Sequence, residues 1–158
     1  MIDRHVFLIG MPGSGKTTLA RLLGAATGRP VWDSDEEIVR WTGLSIQDVF
    51  DRWGEKKFRA LETEVLADLG RHWGSILATG GGCVTRPENR RLRQNGKVIW
   101  LQRDICRLEA PGRPLLRESD LSELYRQRCA LYEHFSDEAI LNNGAPEDAL
   151  RRLKECMV

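Results

Sequence analysis

The sequence predicts an α/β fold in which helices cover both faces of a mostly parallel β-sheet. Short apolar runs alternate along the chain with segments of helical periodicity, and this βαβ order is typical of parallel strands. Glycine-rich turns follow two of the apolar runs, at 10–15 and 80–82. Because open parallel sheets bind ligands at the carboxyl ends of their strands, these turns are the first places to look for a site.

The individual elements follow from the spacing of apolar residues. Strands are predicted at 6–9, 31–32, 76–78, 98–101 and 139–141. Helices are predicted at 17–23, 36–41, 46–53, 56–69, 121–134 and 146–156, with another beginning around Pro87. The first helix is expected to end near Gly24 or Gly28, and Ser45 is expected to cap the helix that starts at 46. The helices within about 34–70 form an insertion after the second strand.

Length and composition predict a single globular domain over residues 1–158. Hydrophobic residues make up 41% of the chain and charged residues 30%. No stretch approaches the roughly 18 apolar residues of a membrane span, and the first residues lack the pattern of a secretory signal. We therefore expect a cytoplasmic protein with no membrane partner.

Cysteine spacing and net charge exclude several classes of function. The four cysteines lie far apart without a CxxC pair, so spacing indicates neither a zinc site nor a redox motif, and free thiols are expected. The net charge of +1 gives no sign of polyanion binding. Nucleic acid is therefore not an expected partner.

The strongest motif is the phosphate-binding loop at 10–17. Its sequence, GMPGSGKT, matches G-x-x-x-x-G-K-[ST] between a predicted strand and a predicted helix. Backbone N–H groups of such a loop cradle phosphates, while Lys16 reaches the β- and γ-phosphates and Thr17 can bind Mg²⁺. A turn that needs only glycine would not explain the lysine and threonine. The expected nucleotide contacts are Gly13, Ser14, Gly15, Lys16, Thr17 and Thr18.

A phosphate-binding loop does not identify the phosphate acceptor, since many nucleotide-binding proteins share it. A G-domain would need a guanine-reading NKxD segment, which the sequence lacks. Residues 51–54 match DxxG, but they fall at the end of a predicted helix. We interpret that match as chance.

Several further segments occur together in one order: DSD at 33–35, FR at 58–59, TGGG at 79–82, GRPLL at 112–116 and RxxLY at 128–132. With the loop GMPGSGKTT, this combination resembles the shikimate kinase family over nearly the whole chain. The resemblance implies a three-layer P-loop kinase fold with a mostly parallel five-stranded sheet in the nucleoside-monophosphate-kinase-like order. It also implies a Mg²⁺- and ATP-dependent enzyme of the shikimate pathway, which phosphorylates the 3-hydroxyl of shikimate.

The resemblance assigns roles to the two aspartates of DSD. Asp35 is expected to hold shikimate hydroxyls and to act as base or orienter of the attacking oxygen. Asp33 is expected near Mg²⁺ through water, beside Thr17. Because both stand at the end of a strand with a spacing of two, we expect them to point to the same side. The structural alternative is that either aspartate simply caps the next helix.

The resemblance also indicates how the acceptor is bound. Arg59 and Arg128 are expected to hold the shikimate carboxylate, because a guanidinium forms a planar, permanently charged fork. On composition alone Arg59 reads as an exposed helix charge, and nothing else selects Arg128 among its neighbours. Gly80, Gly81 and Gly82 are expected to bring backbone N–H groups to the substrate, with Gly81 central, although a plain tight turn is the alternative.

A lid is predicted at about 104–120, where prolines, glycine and charges follow no period. Arg113 is expected to swing over the phosphates and to act in catalysis with Lys16 and Asp35; an exposed loop charge is the alternative. This segment is shorter than the family pattern, and only Arg107 and Pro146 are candidates for contacts with adenine. Proline at the first turn of a helix needs no ligand to explain it.

Two other functions compete with shikimate phosphorylation. The first keeps the kinase chemistry but uses another acceptor, such as gluconate or a nucleotide, and the pair of carboxylate-binding arginines disfavours it. The second is a non-catalytic nucleotide-dependent module. The joint presence of all the site residues disfavours the second, since a module freed from catalysis would be expected to lose some. A monomer is the default expectation.

Overall fold

The computed structural model describes residues 4–72, 74–108 and 118–157. Its sheet has five strands in the order β2-β3-β1-β4-β5, and every neighbouring pair is parallel. The strands are β1 (His5–Ile9), β2 (Val31–Asp33), β3 (Ile76–Ala78), β4 (Gly96–Gln102) and β5 (Glu138–Leu141). The predicted fold class is confirmed, and the described sheet is wholly rather than mostly parallel.

Six helices connect and flank the described strands. They are α1 (Lys16–Thr27), α2 (Ser34–Thr42), α3 (Ile46–Leu69), α4 (Leu92–Asn95), α5 (Glu118–Phe135) and α6 (Pro146–Cys156). Gly54 interrupts α3 with a φ of 81° and a ψ of 168°, which explains why the sequence predicted two helices there. The Ser45 hydroxyl accepts a hydrogen bond from the Asp48 N–H at 3.1 Å, which confirms the predicted cap.

The segment after β3 differs from the single helix predicted around Pro87. Short 3₁₀ turns occupy Cys83–Thr85 and Pro87–Arg91 before α4 begins. The buried Asn89 side chain donates a hydrogen bond to the Cys83 carbonyl at 2.7 Å. This bond holds the segment in a tight turn and so competes with helix formation. The apolar periodicity of the sequence does not reveal such a bond.

Alternate residues of each central strand pack into two separate cores, one on either face of the sheet. Phe7 and Ile9 pack with residues of α2, α3 and α5, whereas Val6 and Leu8 pack with residues of α1 and α6. Successive side chains of a strand point to opposite faces, so both faces of the sheet must be apolar and covered. The result is a three-layer arrangement whose loops are left to form the site.

Two predictions from the sequence, on membrane spans and on cysteines, can be compared with the described residues. Among their helices, none combines the length and hydropathy needed to cross a bilayer. All four cysteines are free thiols, as expected. Residues 109–117, which contain Arg113 and most of the predicted lid, lie outside the described residues.

Candidate active site

Those predicted site residues that the structure describes gather at the carboxyl edge of the sheet. The phosphate-binding loop follows β1, Asp33 and Asp35 stand at the end of β2, and the three glycines follow β3. Because β2, β3 and β1 are adjacent and parallel, these three segments become neighbours in space. Helices α3 and α5 then bring the two arginines toward the same edge.

The phosphate-binding loop is shaped by its glycines. Gly13 and Gly15 have φ values of 79° and 95°, which a residue with a side chain rarely adopts. A Cβ on Gly15 would also lie 2.6 Å from the Asn142 side-chain nitrogen. That nitrogen donates a hydrogen bond to the Ser14 carbonyl at 2.8 Å. The loop is thus fixed in shape from the side of β5.

Lys16 and Ser14 present polar groups inside this loop. The Lys16 ammonium donates hydrogen bonds to the carbonyls of Gly10 and Met11 at 2.7 and 2.9 Å. The Ser14 hydroxyl is buried and has no hydrogen-bond partner among the described residues. Both groups suit phosphate oxygens, which would satisfy the hydroxyl and the ammonium together. Thr18, at the same helix terminus, is exposed.

Asp33 links β2 to the phosphate-binding loop. One carboxylate oxygen accepts a hydrogen bond from the Thr17 hydroxyl at 2.6 Å. The other accepts from the backbone N–H groups of Asp35 and Glu36 at 2.9 and 3.2 Å, and so caps α2. The capping alternative is therefore realised for Asp33, and the same carboxylate also faces the residue predicted to bind Mg²⁺.

Asp35 reaches the site by a different route from the one predicted. β2 ends at Asp33, so Asp35 lies in the first turn of α2 instead of one strand period further on. A Cβ placed on Gly80 would lie 3.1 Å from an Asp35 carboxylate oxygen and would also strike Glu62. The absence of a side chain at Gly80 therefore makes room for two carboxylates beside the glycine turn.

Arg59 is held in place by aromatic and acidic neighbours. Its guanidinium lies 5.0 Å from the centroid of the Phe58 ring and donates a hydrogen bond to Glu62 at 3.0 Å. Only 13% of the Arg59 side chain is exposed, so the interpretation of Arg59 as an exposed surface charge, based on composition alone, is wrong. A Cβ on Gly82 would occupy the position of the guanidinium itself. The third glycine therefore admits Arg59 to the site.

Glu62 is a site residue that the sequence analysis did not select. Its side chain is fully buried, and burial raises the pKa of its carboxyl, which the Asp35 charge also raises. The guanidinium groups of Arg59 and Arg128 act in the opposite direction and lower this pKa. Glu62 lies one helical turn after Arg59 on the buried stripe of α3 that contains Phe58, Val65 and Leu66. A charged residue on an apolar stripe was the signal that could have revealed it.

Arg128 approaches the same cluster from α5. It is buried, and its charge lowers the pKa of both Glu62 and the phenol of Tyr132, which lies one turn later. The pKa of Tyr132 is nevertheless raised, because burial is the dominant influence on that phenol. The Tyr132 hydroxyl donates a hydrogen bond to the Gly81 carbonyl. α5 is thereby joined directly to the glycine turn.

The arrangement provides two kinds of chemistry side by side. One is a backbone loop with a lysine for phosphate oxygens. The other is a pair of arginines, Arg128 buried and Arg59 largely so, with a carboxylate for a small anionic acceptor that carries hydroxyls. No group of three or more acidic, histidine or cysteine side chains suited to a metal occurs among the described residues. Thr17 with Asp33 is the place where a cation bound mainly by phosphates would fit.

The chain matches known proteins over almost its whole length. A model of the shikimate kinase family matches residues 12–157. Shikimate kinase from Methylococcus capsulatus is 42% identical over 161 residues, covering 95% of this chain and 90% of the relative. Shikimate kinase from Nitrosococcus oceani is 38% identical and covers 98% of this chain and 90% of the relative. The structure of shikimate kinase from Acinetobacter baumannii in complex with shikimate superposes with a TM-score of 0.91 at 36% identity, covering 98% of this chain and 92% of that one.

Proposed function

The chain belongs to the shikimate kinase family of ATP-dependent small-molecule kinases, and from that premise we propose how its own residues perform the reaction. The reaction transfers the γ-phosphoryl group of ATP to the 3-hydroxyl of shikimate and yields shikimate 3-phosphate and ADP. One observation carries the proposal: a phosphate-binding loop and a buried cluster of arginines and carboxylates meet at one edge of the sheet.

The nucleotide phosphates take the place of the internal partners of Lys16. The backbone N–H groups of Gly13, Ser14 and Gly15 receive phosphate oxygens, with Thr17 and the exposed Thr18 at the helix terminus. The Lys16 ammonium exchanges its present carbonyl partners for β- and γ-phosphate oxygens, where it stabilises the charge that develops during transfer. The buried Ser14 hydroxyl gains a partner at the same time.

Magnesium is proposed at Thr17 and Asp33. Their oxygens lie 2.6 Å apart at the γ-phosphate end of the loop, so one ion can use the threonine oxygen directly and Asp33 through water. Magnesium is usually bound by only one or two protein groups together with phosphates and water, which agrees with this small donor set. When bound, it neutralises charge on the β- and γ-phosphates.

The acceptor is proposed to bind between α3, α5 and the glycine turn. Arg59 and Arg128 receive the shikimate carboxylate in charge-assisted hydrogen bonds, and backbone N–H groups of Gly80, Gly81 and Gly82 approach its hydroxyls. Asp35 orients the 3-hydroxyl and accepts its proton as the new P–O bond forms and the bond to the β-phosphate breaks. Removal of water from this cleft would protect ATP from hydrolysis.

The remaining family assignments concern residues 104–120. Arg113 is proposed to close over the phosphates as the third catalytic residue, with Lys16 and Asp35; this proposal is supported by the family pattern GRPLL. The division into one domain, a substrate-binding insertion at about 34–70 and a lid at about 104–120 is proposed on the same basis. The monomeric state and the cytoplasmic location stay predictions from the sequence.

The test is an assay that couples ADP release to a spectroscopic signal, with MgATP and each of shikimate, gluconate and AMP. We expect turnover with shikimate, and a loss of about 10²- to 10⁴-fold in Asp35→Asn, the range typical of a positioned acid or base. Asp51→Asn is the matched control, because Asp51 is exposed and, within the described part of the chain, hydrogen-bonded only to Gln47 on its own helix. Turnover with gluconate or AMP, but not with shikimate, would overturn the choice of acceptor. ATP binding without turnover of any acceptor would overturn the proposal that this chain is a catalyst.

A further inference from the structure

Arg103 reaches the phosphate-binding loop from the neighbouring strand. It follows β4 at the carboxyl edge of the sheet, and its side chain runs back toward the loop after β1. A guanidinium nitrogen of Arg103 lies 3.8 Å from the position of a Cβ on Gly15. Arg103 is therefore within reach of an anion bound on that loop, although none of the sequence motifs includes it.

The guanidinium of Arg103 has no internal partner among the described residues. Its Nε atom is buried without a hydrogen bond, and no ion pair or hydrogen bond to a described residue holds its other nitrogens. Arg107, in contrast, donates a hydrogen bond to the Asn143 carbonyl at 2.9 Å. A permanently charged donor that loses water without gaining a partner is costly, unless a ligand supplies the acceptor.

The position of Arg103 indicates which part of the nucleotide it faces. The acceptor residues lie on the β2 and β3 side of β1, whereas β4 and β5 lie on the other side. The γ-phosphate must point toward the acceptor, so the α- and β-phosphates lie toward β4. Asn142 fixes this side of the loop, because its side chain donates to the Ser14 carbonyl and its backbone N–H donates to the Gln102 carbonyl at 2.7 Å.

We propose that Arg103 is a nucleotide-binding residue whose guanidinium donates hydrogen bonds to the α- and β-phosphates of ATP and ADP. The proposal rests on the proposed function insofar as ATP is the phosphoryl donor. Arginine suits this task because its planar fork can bind two phosphate oxygens at once. The loop and Lys16 serve the β- and γ-phosphates, and Arg103 supplies the positive charge at the other end of the phosphate chain.

The test measures nucleotide binding directly by calorimetry, independently of turnover. MgADP and Mg-tripolyphosphate are titrated into wild type, Arg103→Met and Arg103→Lys, and shikimate is titrated separately. We expect Arg103→Met to weaken both phosphate ligands by about tenfold to a hundredfold, as for the loss of hydrogen bonds to charged groups. The affinity of Arg103→Lys for both phosphate ligands should lie between those of wild type and Arg103→Met. The shikimate affinity of each variant should stay within about twofold of wild type, which is less than the tenfold change that corresponds to about 1.4 kcal/mol.

Arg126→Ala is the matched control, since Arg126 is exposed and, of the described residues, pairs only with Glu123 on its own helix. Urea midpoints should coincide for all variants, because Arg103 leaves no carboxylate unpaired among the described residues. The proposal would be overturned by an unchanged MgADP affinity in Arg103→Met, or by a loss for MgADP without a loss for tripolyphosphate. If wild type binds MgADP but does not phosphorylate shikimate, the proposed function is overturned and the proposal for Arg103 is not. The same titrations would still test whether Arg103 binds the phosphates.

Discussion

The two halves of the site are built in different ways. The phosphate half is a run of consecutive residues whose backbone is shaped by glycines at positive φ. The acceptor half is assembled from side chains that lie between positions 35 and 128 of the sequence. Of its charged residues, Glu62 and Arg128 are buried, and Asp35 and Arg59 are partly buried. The first half is built mainly from β1, its loop and α1, and Asn142 fixes the loop from the side of β5. The second half needs α2, α3, α5 and the glycine turn after β3 to pack together.

This difference explains where each half is sensitive to change. In the phosphate half the donors are mainly backbone N–H groups, and Lys16 is the charged side chain that we propose to act on the phosphates. In the acceptor half each charged group depends on another: Arg59 on Glu62, and Glu62 on both arginines. We therefore expect substitution of Lys16 to affect the reaction without affecting acceptor binding. Substitutions that displace the arginines of the second half should affect acceptor binding without affecting nucleotide binding.

Among the substitutions that separate the two halves, the largest expected effect is that of Lys16→Ala. Because we propose that Lys16 stabilises charge that develops on the transferred phosphoryl group, turnover should fall by about two to three orders of magnitude. The shikimate affinity measured by calorimetry should stay unchanged, since the acceptor half does not include this side chain. Lys57→Ala, at an exposed lysine of α3, serves as the control. A parallel loss of shikimate affinity in Lys16→Ala would show that the two halves are not separable.

An intermediate effect is expected for Gly82→Ala. The added methyl group would occupy the position of the Arg59 guanidinium, which must move away. Shikimate affinity should fall by about tenfold to a hundredfold, which is the loss expected when charge-assisted hydrogen bonds are removed. The affinity for MgADP should stay unchanged. Stability should change by less than about 1 kcal/mol, because the displaced atoms belong to the end of a long side chain and not to the backbone.

Gly144→Ala is the matched control for that substitution, since its methyl group would meet only Asp148 at an ordinary 3.7 Å. Calorimetric titrations of shikimate and MgADP, together with urea unfolding, separate the possible results. An unchanged shikimate affinity in Gly82→Ala would contradict the placement of Arg59 at the carboxylate.

The smallest expected effect concerns the pH dependence of stability and the buried Glu62. Since burial raises the pKa of this carboxyl above its ordinary 4.5, the folded state holds its proton more tightly than the unfolded state. Its contribution to stability is thus present in full below pH 4.5 and is lost as the pH rises through the folded pKa. Relative to Glu62→Gln, wild type should lose about 1.4 kcal/mol for each pKa unit between the two states.

Urea unfolding of both proteins across this pH range measures the difference between their free energies of unfolding. If wild type became more stable relative to Glu62→Gln as the pH rises, the arginines Arg59 and Arg128 would influence the pKa of Glu62 more strongly than burial does. Glu64→Gln is the matched control, because Glu64 lies two residues further along α3 and is exposed. The stability curve of this variant should run parallel to that of wild type.

Most of the fold could be predicted from local patterns. Every strand was located to within two residues at each end, and α6 was predicted with its observed bounds, 146–156. The exception was the segment from Pro87, where the Asn89 side chain competes with helix formation. Such a bond joins two specific positions and leaves no periodic trace in the sequence.

The phosphate half of the site could also be predicted from the sequence, because its residues are contiguous. The acceptor half could not. Arg128 was selected only through the family resemblance, since the nearby Arg126 lies on the same predicted helix and is the same residue type. Glu62 and Arg103 were missed, because their importance depends on what lies opposite them in space. Each nevertheless left a weak signal: a charge on an apolar helix stripe, and an arginine directly after a buried strand.

The contact between Tyr132 and the glycine turn has a consequence for how this enzyme can diverge. Tyr132 is buried against Trp100, with ring centroids 5.7 Å apart, and bonds to Gly81, so α5 is fastened to the sheet at this point. Arg128 lies one turn earlier on the same helix and takes its position from this fastening. We therefore expect changes in the length of the segment between β4 and α5, in evolution or engineering, to leave Arg128, which we propose to bind the acceptor carboxylate, in place.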